Sequence, residues 1–222
     1  MGPDFSETEI LPEVVERLNA IPEYQDLFDK AFGEEQAINP SNIGKAIASF
    51  ERTLITNNSR FDQYMRGDKD AISISEKEGL EIFRKAGCPN CHHGAMFSDF
   101  KPHALSTPPN IKLSEFDQGI DSIFAFRTPT LRNLRFTAPY MHNGSLPDLK
   151  RVLEFYEDIS VGKSQHPMVA EDGLDPLVHQ LDLKVKDMSS IISFLNTLND
   201  TEFDRTIPEK VPSGLPVGGN IQ

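Results

Sequence analysis

Cys88-Pro89-Asn90-Cys91-His92 is the stretch on which the reading of this chain turns. It is a C-x-x-C-H pentad, the attachment pattern of a c-type haem. The spacing has a chemical reason. Two thiols three positions apart reach the two vinyl groups on one edge of a porphyrin. The residue that follows lies under the iron, where its imidazole ligates the metal. Thioether links then hold the ring in either redox state. Structural zinc asks for four nitrogen or sulfur ligands in a tetrahedron, but the chain's 2 cysteines are both spent in the pentad and only His92 and His93 stand beside them. A thioredoxin-like redox pair calls for a βαβ setting, and no strong strand pattern occurs in the sequence. The pentad therefore predicts one covalent haem c on Cys88 and Cys91, with His92 as an iron ligand.

On the N-terminal side the pattern is helical. Leu11, Val14, Val15 and Leu18 have helical spacing, and Pro22 interrupts them. Tyr24, Leu27, Phe28, Ala31 and Phe32 mark a second helix that Gly33 stops. Asn39-Pro40 reads as a cap with proline at the first helical position, ahead of a stripe of Ile43, Ile47, Phe50 and Leu54. A short helix with Phe61, Tyr64 and Met65 follows Ser59. The charged run from Arg66 to Asp70 reads as a linker. Ser75 and Glu78 have capping-box spacing ahead of Leu80, Ile82 and Phe83, and Gly87 ends that helix just before the pentad. On the C-terminal side, periodicity disappears from His93 to Phe126. So long a loop inside a domain calls for something to wrap. Helical spacing returns from Ser145, with Leu149, Val152, Leu153 and Tyr156 on one face. A last helix carries Met188, Ile191, Ile192, Leu195 and Leu198. From Thr206 the tail is rich in proline and glycine.

The formal net charge is −12. That disfavours nucleic acid and anionic membranes and favours basic partners. No run approaches the roughly 18 apolar residues a membrane helix needs. Residues 1–6 have neither the basic nor the apolar region of a secretory signal. The iron's second ligand decides its chemistry: methionine favours electron transfer, whereas tyrosine is anionic. Spacing alone does not choose among Met96, Met141, Met168, Met188, Tyr140, Tyr156 and the histidines at 103, 142, 166 and 179.

Two further stretches carry a resemblance. Phe126-Arg127-Thr128-Pro129-Thr130-Leu131-Arg132-Asn133, with Thr137-Ala138-Pro139-Tyr140-Met141-His142-Asn143-Gly144 behind it, closely resembles the C-terminal half of the bacterial di-haem cytochrome c peroxidase and MauG family. The segment from Ile43 to Asp68 is similar to the same family, and the likeness runs from about Val14 to about Leu198. It implies an all-α fold: a cytochrome c-type haem domain with long loops over residues 69–205, preceded by a helical segment over 1–68 that belongs to a partial first domain, and followed by an irregular tail over 206–222. Cys88, Cys91 and His92 match the family's C-terminal haem motif. Ungapped alignment puts Tyr156 where the peroxidases carry a distal methionine and MauG-type members a tyrosine, so the resemblance makes Tyr156 the distal ligand and leaves Met141 to packing. It implies a calcium held in part by the backbone carbonyls of Thr137 and Pro139, and an arginine, Arg127, near the haem propionates.

The expected activity is that of a haem c oxidoreductase, relaying electrons for hydrogen peroxide reduction or for peroxide-driven oxidation. The partners implied are hydrogen peroxide and either a small redox donor, a cytochrome c or cupredoxin, or a protein substrate. A homodimer and a periplasmic location are further expectations. Covalent haem attachment outside the inner membrane supports the latter.

The departures matter as well. The family has two haems. Its peroxide-reactive one needs its own C-x-x-C-H, a carboxylate and usually a tryptophan between the haems, while this chain has one such motif and no tryptophan. It reads as a fragment, a split gene or a misplaced start, in which the first helices would expose an apolar face. The alternative is a mono-haem electron carrier without catalysis of its own.

Overall fold

The computed structural model describes residues 7–202 and 206–217. Residues 1–6, read above for a targeting signal, and the last 5 residues of the tail lie outside it. The chain forms two compact units, one over residues 56–202 and one built from the residues up to Ile55 with the C-terminal segment. The division falls before the helix that sequence grouping placed with residues 1–68.

The first unit holds α1 (Glu7–Asn19), α2 (Pro22–Phe32) and α3 (Pro40–Glu51). The local signals act as expected. Pro22 opens α2, and Gly33 closes it in the left-handed region at φ 69°. Asn39 caps α3 by accepting from the Asn42 amide at 3.0 Å. Asn42 is buried and its amide donates to the Ala37 carbonyl at 2.9 Å, fixing the turn that enters α3. The α3 stripe, by contrast, stays in solvent: Ile47 is 55% and Phe50 63% exposed.

The second unit holds α4 (Arg60–Met65), α5 (Ile74–Lys85), β1 (Pro102–Ala104), β2 (Ala125–Arg127), α6 (Leu149–Ser160) and α7 (Met188–Asn196). It is helix-rich, with one antiparallel ladder that pairs Pro102 with Arg127, His103 with Phe126 and Ala104 with Ala125. Three-residue strands are too short to show a period of two, so this ladder has no sequence signature. Ser73 caps α5, not Ser75: its hydroxyl accepts from the Glu76 amide, and the Glu76 carboxylate accepts from the Ser73 amide at 2.8 Å. Both frames satisfy the capping box, but Glu76 also takes an ion pair from Arg60 of α4. α6 starts at Leu149 with Asp148 as its cap. Pro147 keeps Leu146 out of the helical region, and Leu146 instead bridges to Tyr140. The Arg66–Asp70 run is a turn between α4 and α5, where Lys69 and, from α5, Lys77 lie over the Tyr64 ring at 5.1 and 5.3 Å.

The core of this unit forms where α5 crosses α7. Gly79 makes the crossing close: a Cβ there would collide with the Ser190 backbone carbonyl. Around it, Phe61, Phe83, Phe97 and Phe194 interlock, edge to face for Phe61–Phe97 with centroids 5.4 Å apart and tilted for Phe83–Phe194 at 5.2 Å. Such geometry adds about 1 kcal/mol per pair beyond area burial. α4 is fastened by Arg132, which gives both guanidinium nitrogens to the Asp62 carboxylate at 2.8 Å. The Arg132 Nε donates to the Ala95 carbonyl at 2.7 Å, so one side chain ties α4 to the loop behind the pentad.

Two outcomes follow. Gly79→Ala should lower the unfolding free energy by about 2 kcal/mol, because the overpacking cost outweighs the gain of about 1 kcal/mol in helix propensity. Denaturant titration measures it, and a stabilised variant would contradict the close crossing. For Asp62, burial raises its pKa, but the bonds from Arg132 and Ser59 outweigh that and hold it below the usual carboxylate value. Its contribution is therefore present above the unfolded-state pKa and is lost as pH falls through the depressed native value. Asp62→Asn should cost about 2 kcal/mol at pH 7. The gap from wild type should narrow as the titration moves to pH 3, and a gap independent of pH would contradict the ion pair's role.

Candidate functional site

The pentad sits at the end of α5. Gly87 makes the turn out of the helix at φ 86°, a conformation that favours glycine. Cys88 to Asn90 then form one 3-10 turn, closed by the His92 amide donating to the Cys88 carbonyl at 2.9 Å. The thiols and the imidazole therefore leave one short helical turn. The His92 Nδ1 lies 3.0 Å from the Phe97 carbonyl. A donating Nδ1–H leaves the Nε2 lone pair free to ligate, and such a partner fixes the ring's orientation. Burial holds His92 below the ordinary histidine pKa, which keeps it in the neutral form a metal needs.

The turn faces a cavity of about 440 Å3, within the roughly 300–1,000 Å3 typical of cofactor and ligand sites. Seven predicted residues line it together: Cys88, Cys91, His92, Arg127, Thr137, Pro139 and Tyr156. Its walls are largely aliphatic, with Leu131, Leu149, Leu153, Val178, Ile191 and Leu195 among them. Burial pushes the Cys88 thiol up to about 12 and the Cys91 thiol up to about 11. Reactive or metal-binding thiolates need the opposite shift.

The other expected residues separate by position. Tyr156 comes from α6 and packs edge-on against Phe155 at 5.5 Å. Burial, with Cys91 and Cys88 nearby, raises its hydroxyl above the ordinary phenol value. Arg127 ends β2 with its guanidinium 4.8 Å from the Phe100 ring centroid. Thr137 and Pro139 are exposed. Of the ten axial-ligand candidates, Tyr156, Tyr140, Met141, His142 and His103 line the cavity, whereas Met96, Met168, Met188, His166 and His179 do not. The Tyr140 hydroxyl donates to the Leu134 carbonyl at 2.9 Å, Met141 packs in an apolar cluster, and His142 stacks on Phe126 at 3.4 Å.

The residues that sequence reasoning missed are Asp99 and Asp175. Both carboxylates bond to His103, which the sequence offered only as a candidate ligand. Their sole signal was the i, i+4 spacing of Asp99 and His103. Among the described residues, Cys91, Asp99 and His103 are the group whose donor atoms cluster closely enough to hold a metal ion.

The donor set fits a covalent haem. Two cysteines and a histidine on one turn face a mainly apolar cavity, and an oxygen donor rises from α6. Comparison with known proteins agrees. A profile described as di-haem cytochrome c peroxidase matches residues 3–70. The methylamine utilization protein MauG of Methylorubrum extorquens is 34% identical over 88% of this chain and 55% of its own length. The cytochrome c551 peroxidase of Pseudomonas aeruginosa is 32% identical over 85% of this chain and 53% of its own. A solved structure of a MauG-like protein associated with microbial copper homeostasis superposes with a TM-score of 0.66 at 25% identity, covering 88% of this chain and 63% of that one. The chain belongs to the di-haem cytochrome c peroxidase and MauG family. It spans about half the length of the first two relatives. Among the described residues, no helix is long and apolar enough to cross a membrane.

Proposed function

We propose that this chain is a haem c oxidoreductase of the di-haem peroxidase and MauG type, acting as its electron-relay part. The observation that carries the reading is the convergence of Cys88, Cys91, His92 and Tyr156 on one mainly apolar cavity. In this reading Cys88 and Cys91 hold the ring edge by thioethers, His92 ligates the iron through Nε2, and Tyr156 approaches from α6. Bound there, haem supplies one-electron redox chemistry. The chain's residues do the rest. The Phe97 carbonyl orients His92, the aliphatic walls keep water out, and Arg127 neutralises a propionate. The carbonyls of Thr137 and Pro139 contribute to a calcium site, since hard oxygen donors suit that ion.

Residues 69–205 form the cytochrome c-type domain, and residues 1–68 continue a first haem domain. A second haem, where peroxide reacts, belongs to sequence other than these 222 residues, which carry one C-x-x-C-H. Electrons come from a small cytochrome c or cupredoxin, or from a protein substrate. The net charge of −12 suits a basic donor. Covalent haem assembly assigns the chain to the periplasm, and a homodimer is compatible with the family.

The single attachment motif favours one alternative, a mono-haem carrier. The two readings part when the purified holoprotein is mixed with hydrogen peroxide and a reduced small cytochrome c while the Soret band is followed. Sustained donor oxidation with a Soret shift supports the peroxidase reading. An unchanged Soret band with no donor oxidation supports the carrier. The ligand assignment has its own test: Tyr156→Phe should change the ferric absorption and electron paramagnetic resonance spectra, and an unchanged ferric spectrum would refute tyrosine ligation.

A further inference from the structure

His103 sits on β1, 7% exposed, between two carboxylates. Its Nδ1 lies 2.7 Å from an Asp175 oxygen and its Nε2 2.9 Å from an Asp99 oxygen. A neutral imidazole has one N–H and could satisfy only one of these contacts. The other would set a nitrogen lone pair against a carboxylate lone pair. Both contacts have hydrogen-bond length, so the ring is an imidazolium that donates twice. Burial works against that charge, but the bonds to Asp175 and Asp99 outweigh it and raise the His103 pKa. Burial likewise opposes the Asp99 carboxylate, but the Lys101 amide, His103 and Thr128 hold it down at about 2. The triad carries two negative charges and one positive, a net charge of one negative.

Its place gives this charge a purpose. His103 and Asp175 line the same cavity as Cys91. Donor atoms of Cys91, Asp99 and His103 all lie within 4.8 Å of one another, and the Asp99 amide donates to the Cys91 carbonyl at 2.8 Å. The triad therefore stands at the edge where the Cys91 thioether would hold the ring. It also joins the stretch that leads into β1 to a distant segment. Asp175 caps the 3-10 turn Pro176–Gln180 by accepting from the Leu177 amide at 2.9 Å, and its own amide donates to the Ala104 carbonyl of β1 at 2.9 Å. Leu177 and Val178 of that turn form part of the cavity wall.

Resting on the haem reading above, we propose that the Asp99–His103–Asp175 triad sets the reduction potential of the haem, with His103 as the positioning residue that holds both carboxylates against the Cys91 edge. Charges in a poorly solvated site act strongly on one another, and haem potentials respond to burial, hydrogen bonding and nearby charge. Negative charge stabilises the oxidised iron, which carries one more positive charge than the reduced form. Removing the cation must lower the midpoint, and removing one carboxylate charge must raise it.

The test is a spectroelectrochemical titration of the purified holoprotein and its variants, with covalent haem verified by the pyridine haemochrome spectrum. His103→Gln should shift the midpoint downwards, Asp175→Asn should shift it upwards, and His103→Lys, which keeps the cation, should return it towards wild type. Loosened packing alone would move the first two in the same direction, so opposite signs are the signature of charge. Asp175→Asn is nearly isosteric and its side chain is 21% exposed, so it provides a reading should His103→Gln fail to fold. Holoproteins with unmoved midpoints, or with both variants shifted in the same direction, overturn the proposal alone. A wild-type chain matured without covalent haem overturns the haem reading and the proposal with it.

Discussion

The close crossing of α5 and α7 at Gly79 is the contact on which the second unit depends. A side chain at that position would push the helices apart, and both are committed to the cavity. α5 delivers Gly87 and the pentad. α7 presents Ile191 and Leu195 to the cavity wall. Phe83 belongs to both systems: it packs against Phe97 and Phe194 on one side and lines the cavity on the other. The aromatic cluster is thus the floor on which the pentad stands, and Phe97 lends that floor's edge a carbonyl to orient His92.

Two ionic ties complete the enclosure. Arg132–Asp62 holds α4 against the loop behind the pentad, and His103 holds Asp99 and Asp175 together. Half-buried and buried pairs of this kind contribute less to net stability than their distances suggest, because desolvation offsets the Coulomb gain. Their worth lies in specifying which segments meet. Arg132–Asp62 and His103–Asp175 join stretches 70 and 72 residues apart that no local propensity would bring together, around a space whose apolar walls need a large guest to be filled.

The first unit shows the reverse situation. Its caps and turns are well formed, yet Ile47, Phe50 and Leu54 of the α3 stripe remain in solvent. An amphipathic helix can obey every local rule and still leave its apolar face without cover among the described residues.

Read by itself, the sequence determined what depends on neighbours in the chain. The pentad's spacing, the Asn39-Pro40 start and the glycine stops each act within a few residues. The helical spacing of Leu149, Val152, Leu153 and Tyr156 placed Tyr156 on the inward face of α6 for the same reason. Start points with two competing frames, Ser73 against Ser75 and Asp148 against Ser145, were settled by tertiary partners: Arg60 for the first, and the Leu146–Tyr140 bridge for the second. The β1–β2 ladder and the Asp99–His103–Asp175 triad were decided only in three dimensions. β2 lies more than 20 residues beyond β1 and Asp175 lies 72 residues beyond His103, and hydrogen bonds between such distant segments leave no periodicity to read; only the i, i+4 spacing of Asp99 and His103 was local.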